Sequence, residues 1–135
     1  VMKKIKQELW VVQDKKIAIF GLAFKPETDD VREAPSLYFV PKLQEMKAKL
    51  RAWDPVAEGK FKEIHPELEC VPDLYECAKD ADLVLILTEW DAVKKIDLKK
   101  LKSVMACPVI VDGRNVFKPE EIRALGFTYH SVGRN

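Results

Sequence analysis

The sequence of 135 residues has no excess of either charge and no long apolar run. Lysine and arginine together number 23, against 22 aspartate and glutamate residues. A net charge this small creates no long-range field that would attract nucleic acid or an anionic membrane. An anionic ligand must therefore be bound by locally placed cations. No segment approaches the ~20 apolar residues of a spanning helix, and the first residues do not resemble a signal peptide. We therefore expect a cytoplasmic globular domain that binds neither nucleic acid nor membrane.

Cysteine and histidine are too few and too scattered to indicate a catalytic or metal site. Cys70, Cys77 and Cys107 match no zinc-binding spacing, and none lies in the electropositive context that activates a thiol. They are expected to be reduced and buried, as is usual in a cytosolic protein. His65 and His130 have no partner at motif spacing. With no metal site and no catalytic residues in view, the residues taken alone indicate a binding module.

Apolar runs that suit strands alternate with amphipathic segments that suit helices. Strands are predicted at residues 16–20, 50–53, 70–71, 83–87, 108–111 and 127–132. Helices are predicted from residue 35 to 50, at 72–78, in two pieces over 91–105, and at 119–125, with residues 58–66 a partial helix or surface loop. This alternation predicts an α/β fold, a Rossmann-like doubly wound parallel sheet with helices on both faces. Pro41 is expected to kink the first of these helices.

The first residues have the pattern of a helix with one apolar stripe, formed by Ile5, Leu9 and Val12. Such a helix, with nothing before it to pack on, is expected to be a connector to another domain. We therefore expect residues 1–14 to end an interdomain connector helix and residues 15–135 to form the binding domain. A stand-alone module whose helix buries its stripe against the same domain or a partner is the alternative.

A loop rich in charged residues follows the first predicted strand. The Gly-x-Gly-x-x-Gly fingerprint of a dinucleotide site is absent, because Gly21 stands alone there. If the loop binds phosphate, it does so with side chains: Lys25 offers a compact charge and Arg32 a planar fork, while Phe24 can face an uncharged ring. Equally, Lys25 and Arg32 can pair with the acidic residues of the same loop as solvated charges.

Other polar segments are predicted to end strands at the same edge of the sheet, namely Asp54, residues 88–91 and residues 112–115. Ligands of doubly wound sheets lie outside the carboxyl ends of the strands, so this edge is the predicted site. Thr88 is expected to cap a helix and Trp90 to cover the core. Asp54 can bind a ribose or simply mark a break in the chain. Arg114 can contact a ligand or be an exposed turn residue.

Five motifs, in the order in which they occur, closely resemble the carboxy-terminal domain of the UDP-glucose 6-dehydrogenases, members of the UDP-glucose/GDP-mannose dehydrogenase family. The motifs are Gly21-Leu22-Ala23-Phe24-Lys25-Pro26, Thr28-Asp29-Asp30-Val31-Arg32-Glu33, Asp54-Pro55, Thr88-Glu89-Trp90 and Asp112-Gly113-Arg114-Asn115. The resemblance runs from about residue 16 to residue 134. It implies a domain that binds the UDP part of a UDP-sugar.

The resemblance also implies roles for particular residues. Phe24, Lys25 and Arg114 would contact the UDP-sugar, and Arg32 would reach NAD bound mainly by an amino-terminal domain. The complete enzyme would oxidise UDP-glucose twice to UDP-glucuronate, with NAD as cofactor. Its partners would be UDP-glucose or UDP, the amino-terminal and central domains of the same polypeptide, and further copies in a homodimer or higher homo-oligomer.

The family's catalytic groups have no counterpart in this sequence. The glycine-rich motif of its catalytic cysteine is missing, as is its NAD fingerprint, so this chain is expected to be inactive by itself. A dehydrogenase for another nucleotide sugar, such as UDP-N-acetylmannosamine or GDP-mannose, is an alternative, as is a stand-alone nucleotide-binding module. The Thr88-Glu89-Trp90 motif favours UDP-glucose.

Overall fold

The computed structural model describes Ile5, residues 12–23 and residues 34–131. Its strands are β1 (Lys16–Phe20), β2 (Lys49–Trp53), β3 (Glu69–Cys70), β4 (Leu83–Ile86), β5 (Val109–Asp112) and β6 (Thr128–Ser131). Its helices are α1 (Ser36–Glu45), α2 (Glu58–Ile64), α3 (Leu74–Ala78), α4 (Asp91–Lys94), α5 (Leu98–Val104) and α6 (Pro119–Ala124). The predicted alternation of strands and helices is confirmed within these residues.

The strands form one parallel sheet in the order β3-β2-β1-β4-β5-β6. The chain begins at the centre with β1, proceeds outward to β3, and then crosses back to place β4 on the other side of β1. The direction of winding therefore reverses between β1 and β4. In open parallel sheets ligands bind at this reversal, beyond the carboxyl ends of the strands. The predicted Rossmann-like doubly wound sheet is confirmed.

Helices cover both faces of the sheet. The side chains of β1, which point alternately to the two faces, show why. Ile17 and Ile19 belong to a buried cluster that includes residues of α1 and α2. Ala18 and Phe20 point to the opposite face and join a second cluster with residues of α3, α4, α5 and α6. Successive side chains of a strand point to opposite faces, so an apolar strand without polar alternation is buried on both sides. The continuous apolar pattern of β1 and β4 thus reflects a sheet enclosed by two helical layers.

Several helix boundaries follow the sequence signals, but the prediction that the first helix reaches residue 50 is wrong: α1 ends at Glu45, because Lys49 and Leu50 already pair with β1 as part of β2. Asp73 accepts a hydrogen bond from the backbone N–H of Tyr75 and caps α3, and Asp97 caps α5 in the same way. Gly126 follows α6 with a φ of 96°, a left-handed conformation that suits glycine. Pro41 lies in the second turn of α1, and the helix continues past Pro41 to Glu45.

The amino-terminal stripe packs on this domain at the two positions that the structure describes. Ile5 is helical and fully buried, and both Ile5 and Val12 belong to the cluster on the α1 side of the sheet. The rest of residues 1–11 lies outside the described residues. A connector helix over residues 1–14 and a domain boundary at residue 15 therefore stay predictions.

The three cysteines are free but differ in exposure. Cys77 is buried in the second cluster, Cys70 is half-buried and Cys107 is exposed, so the prediction that all three are buried is wrong for Cys107. Burial raises the pKa of the Cys77 thiol well above its usual range, and the nearby Arg51 only partly opposes this shift. Cys77 is consequently held as an unreactive thiol.

We expect iodoacetamide to alkylate Cys107 rapidly in the native protein and to leave Cys77 unmodified, because the thiolate is the reactive form and Cys77 is kept protonated. Peptide mass spectrometry over a time course, with and without denaturant, would measure both rates. A Cys107→Ser variant should lose the fast phase. Alkylation of Cys77 as fast as that of Cys107 under native conditions would contradict this assignment.

None of the helices within the described ranges combines the length and the apolar character that a membrane crossing requires. Among the same residues, no three histidine, cysteine, aspartate or glutamate side chains are grouped in a way that could hold a metal ion.

Candidate functional site

The candidate site lies at the carboxyl edge of the sheet, where the segments that follow β1, β2, β4 and β5 meet. Residues 24–33, which follow β1, lie outside the described residues, so Phe24, Lys25 and Arg32 have no described position. Arg114, which follows β5, is described. The surrounding framework consists of two buried carboxylates, a buried threonine and one ion pair.

Asp54, at the end of β2, is a structural carboxylate that joins three segments of this edge. Its Oδ2 accepts hydrogen bonds from the backbone N–H groups of Leu22 (2.8 Å) and Ala23 (3.1 Å) and from the indole of Trp90 (3.2 Å). Its Oδ1 accepts two more, at 2.9 and 2.7 Å, from backbone groups just after it in the chain. With five donors and only 5% exposure, Asp54 serves an internal role and is not available to a ribose.

The turn after β1 therefore differs from a dinucleotide-binding turn in a specific way. In a glycine fingerprint, backbone N–H groups at this place face the pyrophosphate. Here the N–H groups of Leu22 and Ala23 face the carboxylate of Asp54, so an internal anion occupies the direction from which a phosphate would approach. This turn does not fit the pyrophosphate of NAD.

Thr88, after β4, ties the same turn to the centre of the sheet. Its hydroxyl is fully buried and donates to the carbonyl of Ala23 at 2.6 Å. The prediction that Thr88 caps a helix is wrong: α4 begins after Trp90 and has no side-chain cap, because the threonine hydroxyl is used across the sheet. Trp90 is 5% exposed and belongs to the second core cluster, so its predicted role as core cover is confirmed.

The described residues on either side of the segment 24–33 are joined to each other. Ser36, at the start of α1, is fully buried and donates from its hydroxyl to the carbonyl of Leu22 at 2.6 Å. Leu22 in turn is anchored through its N–H to Asp54. The residues that flank the segment with three of the predicted site residues are thus tied to each other and to the carboxyl edge of the sheet.

Asp112, at the end of β5, is the second buried carboxylate. Its Oδ1 accepts from the backbone N–H of Arg114 at 2.9 Å, and its Oδ2 accepts from the hydroxyl of Tyr129 at 2.6 Å and from two further loop N–H groups at 2.7 and 3.3 Å. Gly113 donates its N–H to the carbonyl of Ile86 on β4. The loop that carries Arg114 is therefore held by the sheet and is more than an exposed turn.

The guanidinium of Arg114 forms a bidentate ion pair with Glu89. Its Nε donates to Oε2 and its Nη2 donates to Oε1, the latter at 3.3 Å. Glu89 comes three residues after β4 and Arg114 two residues after β5, and Ile86 lies opposite Asp112 in the sheet register, so the parallel pairing brings them together. The hydrogen bond with Arg114 lowers the pKa of Glu89, and the same bond raises the pKa of Arg114. Both groups are thus charged at neutral pH, with 28% of each side chain exposed.

Sequence reasoning identified this edge but missed most of its internal bonds. Ser36 and Tyr129 carried no signal, and Glu89 was recognised only as part of a motif. The bonds of Ser36, Tyr129, Glu89 and Trp90 join residues between 14 and 36 positions apart, a separation at which no local pattern indicates a partner.

A groove of about 350 Å³ lies at the opposite, amino-terminal side of β1 and β2, and Lys16, Lys49, Arg51 and Lys79 are among its lining residues. Arg51 is engaged there by the carboxylate of Glu69 at 3.5 Å. Ligands of doubly wound sheets bind at the carboxyl edge, so the groove is separate from the candidate site.

The doubly wound parallel sheet places this chain in the Rossmann-like class of domains. Arg114 is held at the carboxyl edge of that sheet. Residues 18–119 match the model of the UDP-glucose/GDP-mannose dehydrogenase family, UDP binding domain, and the chain belongs to this family. Over 135 residues it is 43% identical to the UDP-glucose 6-dehydrogenase TuaD of Bacillus subtilis, an alignment that covers 99% of this chain and 29% of that protein. The chain thus spans less than a third of the length of this curated relative.

Solved structures of similar fold include two dehydrogenases. The NDP-N-acetyl-D-galactosaminuronic acid dehydrogenase of Methanosarcina mazei superposes with a TM-score of 0.85 at 29% identity, covering 99% of this chain and 28% of that one. A UDP-glucose dehydrogenase of the archaeon Pyrobaculum islandicum gives a TM-score of 0.83 at 28% identity, covering 98% of this chain and 28% of that one.

Proposed function

We propose that this chain is the UDP-binding domain of an NAD-dependent UDP-glucose 6-dehydrogenase, which oxidises UDP-glucose to UDP-glucuronate. The observation that carries the proposal is Arg114, held by a buried carboxylate and by the sheet at the edge where such folds bind ligands. A planar guanidinium matches the oxygens of a diphosphate in a way that a single ammonium group does not. The high identity to a UDP-glucose 6-dehydrogenase supports the choice of UDP as the ligand.

The proposed UDP-sugar contacts are Phe24, Lys25 and Arg114. Lys25 follows in the sequence the turn that Asp54 fixes at the carboxyl edge of the sheet, which is the edge that carries Arg114, and we propose that both cations contact the same diphosphate. Residues 15–135 form the proposed binding domain, and residues 1–14 the end of its connector helix. Amino-terminal and central domains of the same polypeptide, and further copies of it, are the proposed partners.

NAD is proposed as the cofactor of the complete protein, held mainly by another domain. Within the described residues the turn after β1 does not fit a dinucleotide, because Asp54 takes both N–H groups that would face its pyrophosphate. Arg32 is the residue of this chain proposed to reach NAD. Cys77, Cys70 and Cys107 are not proposed as nucleophiles, and the catalytic groups of the reaction are proposed to lie in the other domains.

Replacing Arg114 with alanine in the full-length protein is expected to weaken UDP binding by about tenfold to a hundredfold, because it removes a charge-assisted contact to phosphate. Titration calorimetry with UDP would measure the affinity, and NADH formation from UDP-glucose would measure activity.

The matched control is Arg51→Ala, which removes an arginine with a carboxylate partner at the opposite edge of the sheet. Its UDP affinity should equal that of the wild type. Equal losses in the two variants, or no loss in Arg114→Ala, would contradict a UDP site at the carboxyl edge.

A dehydrogenase for another nucleotide sugar is the second candidate. It is supported by the likeness to the NDP-N-acetyl-D-galactosaminuronic acid dehydrogenase of Methanosarcina mazei, whose TM-score of 0.85 is equivalent to the 0.83 of the UDP-glucose dehydrogenase from Pyrobaculum, so the fold fits either kind of enzyme. Assaying NADH formation with UDP-glucose, UDP-N-acetylmannosamine and GDP-mannose separates the candidates. NAD reduction with UDP-glucose alone would support the first, and preference for another sugar would replace it with the second.

A further inference from the structure

We propose that Glu89 is a positioning residue, which holds the guanidinium of Arg114 side-on so that its outer N–H groups face the diphosphate of the bound ligand. This inference rests on the proposed function in one respect, namely that the ligand is UDP or a UDP-sugar. It adds a role for a residue that contacts the ligand only through Arg114.

The geometry of the ion pair supports this role. An arginine side chain carries five N–H donors, and Glu89 takes only two of them, one on Nε and one on Nη2. Within the described residues, Glu89 is the only partner of the guanidinium. The side-on pairing leaves the two hydrogens of Nη1 and one of Nη2 unpaired by any described residue, and these form the end-on fork that donates to two phosphate oxygens.

Both partners are attached to rigid parts of the domain. Arg114 is fixed through its own N–H to Asp112, and Gly113 is fixed to the β4 carbonyl of Ile86. Glu89 lies between Thr88 and Trp90, which are both buried and hydrogen bonded. A long arginine side chain loses much rotamer freedom when it binds, and a carboxylate on a fixed segment removes part of that freedom beforehand.

The negative charge of Glu89 opposes the binding of an anion. A positioning role and a purely electrostatic role therefore predict opposite changes in affinity when Glu89 is removed. A carboxylate beside Arg114 cancels much of its field, so a purely electrostatic site would bind UDP more tightly without it. Glutamine removes the charge but retains an acceptor oxygen for one guanidinium N–H, whereas alanine removes both the charge and the acceptor. Positioning therefore predicts that alanine weakens binding and that glutamine largely preserves it.

The experiment compares Glu89→Ala, Glu89→Gln, Arg114→Ala and the Glu89→Ala/Arg114→Ala double variant in the full-length protein. Calorimetry with UDP should show a loss of about tenfold for Glu89→Ala, the size of one charge-assisted hydrogen bond. Glu89→Gln should stay within about threefold of the wild type, and the double variant should equal Arg114→Ala alone. In steady-state kinetics, KM should rise in Glu89→Ala with a smaller change in kcat.

Glu69→Ala is the matched control, because it removes the carboxylate beside Arg51 at the opposite edge and should leave UDP affinity unchanged. Affinity in Glu89→Ala equal to or tighter than that of the wild type would overturn the positioning role. Equal losses in the alanine and glutamine variants would also overturn it, because the acceptor oxygen that glutamine retains beside the guanidinium would then have no effect on affinity.

Failure of the proposed function gives a different result. If the wild-type protein does not bind UDP, or Arg114→Ala binds it normally, the ligand assignment fails. The positioning role is then tested by a crystal structure of Glu89→Ala without ligand. A displaced or disordered guanidinium would support positioning by Glu89, and an unchanged one would overturn it.

Discussion

Replacing Asp54 with alanine is expected to lower the free energy of unfolding by about 4 kcal/mol or more, because four of its five donors are buried and a buried donor left without an acceptor costs at least about 1 kcal/mol. Four backbone N–H groups and the indole N–H of Trp90 would lose their shared acceptor. For a chain of this length, an unfolding entropy of about 2.1 cal/mol/K per residue converts that loss to a decrease in Tm of roughly 14 °C. Urea and thermal unfolding of the purified 135-residue chain would measure both quantities.

Asp73→Ala is the control for removal of an aspartate. Asp73 accepts one exposed hydrogen bond at the start of α3, so its loss should cost only about 1 kcal/mol. Asp54→Asn should be intermediate, because its amide NH₂ would face donors on one side while its oxygen still accepts on the other. Asp54→Ala and Asp73→Ala of equal stability would show that the five bonds of Asp54 carry little net energy.

Replacing Gly21 with alanine is expected to destabilise the domain by about 3 kcal/mol or more. The residue has a φ of 102°, which costs an L-residue about 1–2 kcal/mol. Its new Cβ would also lie 2.7 Å from the backbone nitrogen of Thr88 and overlap the side chain of that residue. Overlap in a packed interior typically adds about 1–3 kcal/mol. Denaturant unfolding would measure the loss, and the variant should also bind UDP more weakly, because the loop of Lys25 begins at this turn.

Gly59→Ala is the matched control for this substitution. Gly59 lies in α2, and a Cβ added there would meet no other atom within 4 Å. Since alanine is favoured over glycine in a helix by up to about 1 kcal/mol, the control should be as stable as the wild type or slightly more so. If the Gly21→Ala and Gly59→Ala variants unfold at the same denaturant concentration, the turn after β1 is able to move away from Thr88.

The order of secondary-structure elements was predictable because its signals are local. The apolar run of β4 is buried on both faces, and the capping residues Asp73 and Asp97 begin helices as their type suggests. Right-handed crossovers and parallel pairing then left few arrangements of the sheet. The carboxyl edge could therefore be named as the site before any contact was known.

The roles of individual polar residues were harder to predict. The sequence was compatible with Asp54 as a ribose ligand or as a residue that ends a strand. Only the five hydrogen bonds that it accepts in the structure show an internal role. Thr88 has the residue type of a helix cap, but its hydroxyl reaches Ala23 on the neighbouring segment. A local rule judges such a side chain by its neighbours in sequence, whereas a buried hydroxyl or carboxylate binds whichever donors and acceptors the fold places beside it.

By itself, the sequence determined the alternation of strands and helices, the edge at which the polar segments meet, and the motifs that indicate the family. Each of these depends on residue order and spacing, which are local properties of a chain. Only the tertiary structure decided that Asp54 and Asp112 are internal acceptors and that Glu89 holds Arg114. These bonds depend on which strands become neighbours: β4 lies between β1 and β5, so the segments that follow the three strands meet, although they are far apart in the sequence.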